Sequence, residues 1–255
     1  MFIDGAYLTK VREEVARDVL RVPEIPLEPK TLTGADRVLY YDCLPGREKE
    51  GPEADYLERT RAPRAWLERM ALQDKVHVVE GVVAGAGRRA RQKQVDVQIA
   101  VDALMHAFRR NLGSATLLTG DQDFVPLALA LVALGVEVKV WCHRRSASRD
   151  LLRVADVRLD LTSHQLVSMA PHAWRESIAF PRIWQQQGPY EGDVRQRGCG
   201  PDGQDVFFLK TDKGFTIVHP DPLNWGGWMH AESTDEALLR RVHEDVYFHT
   251  RWASA

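Results

Sequence analysis

The feature that most constrains this chain is an alternation. Over the first 160 residues, short apolar runs give way repeatedly to stretches with helical periodicity. Candidate strands are Met1–Asp4, Arg37–Asp42 (RVLYYD), Lys75–Glu80 (KVHVVE), Ala115–Thr119 (ATLLT) and Val136–Trp141 (VEVKVW). Several are nearly unbroken apolar runs, the pattern of parallel strands covered on both faces. Helical patterns lie between them near residues 6–20, 53–73, 95–111 and 125–134, the last ending on Gly135, a natural C′ residue. The alternation predicts an α/β fold, a doubly wound or related three-layer α/β/α sandwich with a mainly parallel sheet. In such sheets ligands sit outside the carboxyl ends of the strands. Arg21–Asp36, with three prolines, and Leu44–Pro52 read as loops. Gly81–Lys93 (GVVAGAGRRARQK) reads as a mobile, glycine-rich and then basic loop.

Beyond about residue 162 the pattern changes. Five of the seven tryptophans follow Pro171, and Asp205–His219 reads as a hairpin turning on Thr-Asp-Lys-Gly. Ser233–Glu236 resembles a capping box opening a helix through about Glu244. The expected division is a main domain over 1–162 and a small α+β appendage over 163–255, with no internal repeat. Three cysteines, an odd number without a CxxC pair, argue against a disulfide framework or structural zinc and for a reducing compartment. A net charge of −2 supplies no global pull towards nucleic acid, so any such binding must be local. The amino terminus lacks a basic-then-apolar leader, and no apolar run nears the roughly 20 residues of a membrane span. A cytoplasmic location without membrane association is expected; the oligomeric state is left open.

Aspartates gather at the predicted ligand edge. Asp4 ends the first strand, Asp121 follows the strand ending at Thr119, Asp123 is two residues on, and Asp96 opens the helix over 95–111. Carboxylates crowded into one volume repel one another, so either some are protonated or a cation neutralises them. Oxygen donors without Cys or His suit Mg²⁺ or Mn²⁺, which activate water and stabilise phosphoryl oxygens, making phosphodiester hydrolysis the natural chemistry. Each residue also has a plainer role. Asp123 or Asp96 can N-cap its helix, and Asp4 can serve a turn before Gly5. Asp102 lies about 120° round the helix from Asp96, so one of the two is a ligand and the other supporting or structural. His106, four residues after Asp102, is placed to pair with it.

FIDGAY (2–7), KQVDVQIAVD (93–102) and LLTGDQDFVPLALALVALGVEVKVW (117–141) together resemble the NYN domain family, the LabA-like branch of the PIN-like ribonucleases. SRDLLRVADVRLDL (148–161) is similar to that family's closing segment, so the resemblance spans about 1–162. It implies a PIN-like sandwich with a metal-dependent ribonuclease site. Asp4, Asp96, Asp121 and Asp123 match the family's acidic positions, Lys93 the lysine before the middle aspartate, and Thr119 a small hydroxyl residue beside the site. Tyr7 stands where the family usually has asparagine, and Gln94 where it has glycine; the first departure bears on activity.

Arg88, Arg89, Arg91 and Lys93 precede Asp96, and Arg144, Arg145 and Arg149 follow another strand. Both clusters suit a nucleic-acid backbone, or are solvated loop charges. Trp225 and Trp228 suit base stacking or a small core. The expectation is a metal-dependent endoribonuclease acting on single-stranded RNA. Asp4, Asp96, Asp121 and Asp123 would hold Mg²⁺ or Mn²⁺, and Lys93, Thr119, Arg88, Arg89 and Arg91 would contact substrate. By family resemblance the products carry 5′-phosphate and 3′-hydroxyl ends. The alternatives are a module that binds RNA or a protein without cutting, and, more remotely, a small-phosphoester phosphatase.

Overall fold

Burial on both faces accounts for the unbroken apolar runs. The computed structural model describes residues 1–33, 35–46, 52–84, 91–93, 95–187, 192–221 and 227–253, of which 82–84 and 91–93 by their backbone alone. The chain divides into two compact units, Met1–Val11 with Glu28–Leu161, and Arg12–Leu27 with Thr162–Ala255.

The first unit follows the strand–helix rhythm: β1 (Phe2–Asp4), α1 (Gly5–Val15), β2 (Val38–Asp42), α2 (Glu53–Ala71), β3 (Val76–Glu80), β4 (Val82–Ala84), β5 (Arg91–Lys93), α3 (Val95–Phe108), β6 (Ser114–Leu118), α4 (Val125–Ala133), β7 (Glu137–Cys142), α5 (Arg149–Val154) and β8 (Val157–Asp160). Six strands form one sheet in the order β3-β2-β1-β6-β7-β8. Every neighbouring pair is parallel. Helices flank this sheet, so the architecture is the expected α/β/α sandwich. Ile3, Leu117, Leu118, Val138 and Val140 of the central strands are at most 1% exposed. Each such burial is worth about 1.5–3 kcal/mol, which holds the middle of the sheet most firmly. The edge strand β8 keeps three of its four residues exposed, and its short VRLD run hid the sixth strand from the sequence reading. Gly135 closes the end of α4 at φ +79°, a left-handed geometry that the missing Cβ makes inexpensive. Residues 82–84 and 91–93 are not loop but an antiparallel ribbon, β4 against β5. The intervening 85–90, which include Arg88 and Arg89, lie outside the described residues.

The second unit contains α6 (Ser163–Ser168), α7 (His172–Ser177), β9 (Arg182–Gln187), β10 (Asp193–Cys199), β11 (Asp205–Thr211), β12 (Gly214–Pro220), β13 (Gly227–Ser233), α8 (Glu236–Val246) and β14 (Arg251–Trp252). Its sheet runs β14-β10-β11-β12-β13-β9, and all pairs are antiparallel. One sheet face joins Leu239 of α8 in a core of Val206, Phe208, Ile217 and Ala231. The hairpin between β11 and β12 turns where its sequence indicated, with Thr211 opposite Gly214. Two details differ from expectation. The cap of α8 is Asp235, whose carboxylate accepts the Leu238 N–H at 3.0 Å, while Ser233 Oγ accepts the Asp235 N–H. Arg12–Leu27 groups with this unit rather than with the residues around it in sequence, and Arg241 Nε donates to the Val19 carbonyl at 2.7 Å. Trp228 packs against Phe207, Leu209 and Val218, a core role; Trp225 lies outside the described residues. Among the described residues no helix is long and apolar enough to cross a membrane.

Candidate active site

Strand order decides where a ligand can enter. From β1 the chain winds through β2 to β3 on one side, and from β6 through β7 to β8 on the other. Helical crossovers on opposite hands of the sheet leave a crevice at this reversal, outside the carboxyl ends of β1 and β6. Asp4 ends β1, and Thr119, Gly120 and Asp121 follow β6. A cleft of about 520 Å³ opens there, lined among others by Asp4, Tyr7, Lys10, Asp96, Asp121 and Ser146. Three of the four aspartates singled out from the sequence therefore face one space.

Asp4 is 9% exposed. Its Oδ1 accepts the Tyr7 N–H at 3.0 Å, in the manner of a helix N-cap, and its Oδ2 accepts the Thr119 hydroxyl at 3.3 Å. Burial pushes its carboxyl up to about 6, and the charges of Asp96 and Asp42 add to that against the two hydrogen bonds. Asp96 stands in the first turn of α3 at the rim, where partial desolvation and then the charges of Asp121 and Asp123 raise its pKa. Asp42, at the end of β2, is also raised by burial and adds to the acidic character of this edge.

Several expectations are corrected. Asp121, not Asp123, is the cap: its Oδ1 accepts the Asp123 N–H at 3.0 Å and opens a 3₁₀ turn over Gln122–Phe124. That turn carries Asp123 away from the cleft lining, although its charge still reaches Asp96. Thr119 is 3% exposed, and its hydroxyl donates to Asp4 while accepting the Asp121 N–H at 3.3 Å. It braces two carboxylates and is too buried to meet substrate. Asp102 lies outside the cleft lining, where it accepts bonds from Tyr41 Oη and Gln98 Nε2, both at 2.9 Å. That makes it structural, because the helical turn aims it at β2. His106 pairs with Asn111 at 3.0 Å rather than with Asp102. Arg144 pairs with Asp160 at 3.5 Å, and Arg145 and Arg149 are exposed. The side chains of Arg91 and Lys93, like Arg88 and Arg89 entirely, lie outside the described residues.

Tyr7, the departure from the family pattern, is built into the wall. Its hydroxyl accepts the His143 N–H at 3.0 Å and lies 3.0 Å from Ser146 Oγ, tying α1 to the loop after β7. This approach depends on Gly120. A Cβ there would stand 2.6 Å from the Ser146 carbonyl and 2.7 Å from Tyr7 Oη. Gly120→Ala should therefore cost about 1–3 kcal/mol of stability by overpacking, read as a lower denaturant midpoint; an unchanged midpoint would show that the wall yields freely. Lys10, Ser146 and Ser148 also line the cleft and Asp42 acts on Asp4, although no motif singled them out. Lys10 was accessible through its three-residue spacing from Tyr7, and Asp42 through the shared pattern of FID and YYD strand ends.

All-oxygen donors with raised carboxyls fit a hard divalent ion, but not the compact cage expected. Among the described residues no three His, Cys, Asp or Glu side chains stand close enough to enclose a metal ion. What fits is an ion keeping much of its water shell, as Mg²⁺ commonly does, held by Asp4, Asp96 and Asp121.

A six-stranded parallel α/β/α sandwich with an acidic cleft at its switch point is consistent with a PIN-like fold. Residues 52–162 match the family described as NYN domain. The match contains Asp96, Thr119, Asp121 and Asp123 but begins after Asp4. No curated protein matches the chain. A crystal structure of a protein of unknown function from Vibrio parahaemolyticus RIMD 2210633 is similar at 16% identity, covering 64% of this chain and 91% of that one, with a TM-score of 0.44.

Proposed function

We propose that the protein is a divalent-metal-dependent endoribonuclease cleaving single-stranded RNA at the switch-point cleft. NYN domains belong to the PIN-like nuclease superfamily, whose members are generally hydrolytic ribonucleases that typically use divalent ions. The single observation that carries the reading is the convergence of Asp4, Asp96 and Asp121 on one cleft. When bound there, Mg²⁺ or Mn²⁺ supplies charge neutralisation and a more acidic water for phosphodiester hydrolysis. The chain's own residues hold and orient. Thr119 and the Tyr7 N–H fix the Asp4 carboxylate, the Asp123 N–H fixes Asp121, and Lys10 stands beside the path of the phosphate backbone. Lys93, Arg88, Arg89 and Arg91 extend that basic contact. We place the protein in the cytoplasm.

Asp121→Asn keeps an oxygen for the cap bond while removing the charge. It is expected to abolish Mn²⁺-stimulated cleavage of a labelled RNA with little change in thermal midpoint. Undiminished cleavage by this variant sinks the mechanism. Tyr7 in the asparagine position favours a second reading as a module that holds RNA without cutting it. Such a module binds equally well in chelator and releases no product at any metal concentration.

A further inference from the structure

The outer faces of α3 and α4 in the first unit are apolar. On α3, Val97 (65% exposed), Val101, Met105 and Phe108 (68% exposed) follow at intervals of four, four and three residues, one stripe along the helix. α3 packs on α4, where Leu129 and Val132 are exposed as well, and Leu134 follows at the helix end. The inward set is a different one: Ile99 and Ala103 of α3 and Leu127 and Leu131 of α4 are at most 5% exposed. Charge is nearly absent from this surface. No Lys, Arg, Asp or Glu occurs between Phe124 and Glu137. Between Asp96 and Arg109 only Asp102 is ionised, and it is held by Tyr41 and Gln98.

Apolar surface of this extent calls for a cover. The exposed side chains of the two helices present on the order of 600 Å², the upper end of the largest patch on an ordinary monomer. It is also about the apolar share of the ~800 Å² that each partner gives to a standard interface. The segments of this chain outside the described residues do not supply the cover, since their large apolar side chains are Tyr190, Leu223 and Trp225 alone. A second copy does supply it, because the stripe is self-complementary. A two-fold axis crossing α3 midway between Val97 and Phe108 sets the small end of one stripe against the large end of the other. Val97 then meets the partner's Phe108, and Val101 the partner's Met105.

We infer that two copies of this chain associate through the α3–α4 face, with α3 antiparallel to its counterpart about a two-fold axis. The driving force is burial of apolar surface, and the absence of charge leaves little to desolvate. The arrangement spares the acidic cleft. Asp96 opens α3 there but lies about 100° round the helix from Val97, off the stripe. Antiparallel pairing sets the two clefts at opposite ends of the paired helices, so neither copy closes the other's.

The test is the mass of the full chain in solution, by light scattering at micromolar concentration, where twice 28.9 kDa is expected. Phe108→Asp and Val101→Arg, made separately, put a charge where the single chain keeps it in water and the dimer buries it unpaired. Each should raise the dissociation constant roughly 100-fold or more, leaving a single chain with unchanged circular dichroism. Leu72→Asp, at an exposed leucine outside the face, should stay dimeric. Orientation is read by crosslinking. A chain carrying both Val97→Cys and Phe108→Cys should link into dimers on mild oxidation. Either change alone should link no more than wild type with its three free cysteines. A wild-type chain of single mass, its face then left to a different protein, overturns the proposal. So does a dimer that survives both charged variants, and crosslinking by Val97→Cys alone overturns the antiparallel pairing. No readout here involves RNA or metal, so this inference and the ribonuclease reading stand or fall separately.

Discussion

Asp4→Asn is expected to lose Mn²⁺-stimulated RNA cleavage and, without metal, to be more stable than wild type at pH 7.5. The reason for both effects is electrostatic. Asp4 is nearly enclosed, and burial with repulsion from Asp96 and Asp42 moves its carboxyl from 3.8 up to about 6. The folded state then binds this proton more tightly than the unfolded chain does. Above pH 6 both states are ionised, and the fold bears the full penalty, at most about 3 kcal/mol by the linkage relation. As pH falls from about 6 towards 3.8 the penalty is relieved, so acidification stabilises the first unit through this group. Asparagine removes both the penalty and its pH dependence while leaving an oxygen for the Tyr7 N–H.

On the proposed reading, a divalent ion held at the cleft would relieve the same repulsion in wild type. Mn²⁺ should therefore raise the thermal midpoint of wild type at pH 7.5, raise it less below about pH 6, and leave Asp4→Asn nearly unmoved. Cleavage should fall by at least the roughly 10–100-fold that follows removal of a residue which only supports a metal ligand. A variant that cleaves normally, or whose midpoint still rises with Mn²⁺, shows that Asp4 does not face the ion.

The second large effect lies in the other unit and has the opposite sign. His243 is 1% exposed, and neither ring nitrogen has a hydrogen-bond partner among the described residues. It packs against the rings of His219, Tyr247 and Phe248, with centroids 5.4 Å away in each case. Burial, with some repulsion from His219, lowers its pKa from 6.5 to about 3. His219 and His230 are lowered as well, chiefly by burial. Below pH 6.5 the unfolded chain takes protons that the folded unit refuses, so stability is full above 6.5 and falls steadily towards pH 3. The loss from His243 is on the order of 4 kcal/mol at the acid end. His243→Phe keeps the ring contacts and removes the proton, so its stability should change much less between pH 7 and pH 4. Five of the seven tryptophans lie in this unit, which makes their fluorescence the natural probe of its unfolding. Equal acid sensitivity in wild type and variant would remove His243 as the cause.

The same electrostatics show how far the cleft could be read beforehand. Asp4 and Asp121 were legible because each ends an apolar strand run, and in a parallel sheet all such ends share an edge. Which aspartate caps the turn after β6 was not legible. Asp121 and Asp123 differ by one step of backbone geometry, and the 3₁₀ turn chose Asp121, carrying Asp123 out of the lining. Thr119 looked like a substrate contact because spacing places it beside the site, but spacing does not report depth, and burial makes it a brace.

The amino-acid order alone settled the class of fold and the sheet edge where the acidic cleft lies, because apolar periodicity is a local property that the solvent enforces strand by strand. It also marked the β11–β12 hairpin and the end of α4, where turn chemistry is local too. Strand order, and with it the crevice between β1 and β6, came only from long-range packing. So did the grouping of Arg12–Leu27 with the second unit and the union of Tyr7 with His143 and Ser146. Those contacts join residues far apart along the chain, where no short-range preference selects one partner over another and only the summed burial of the folded state decides.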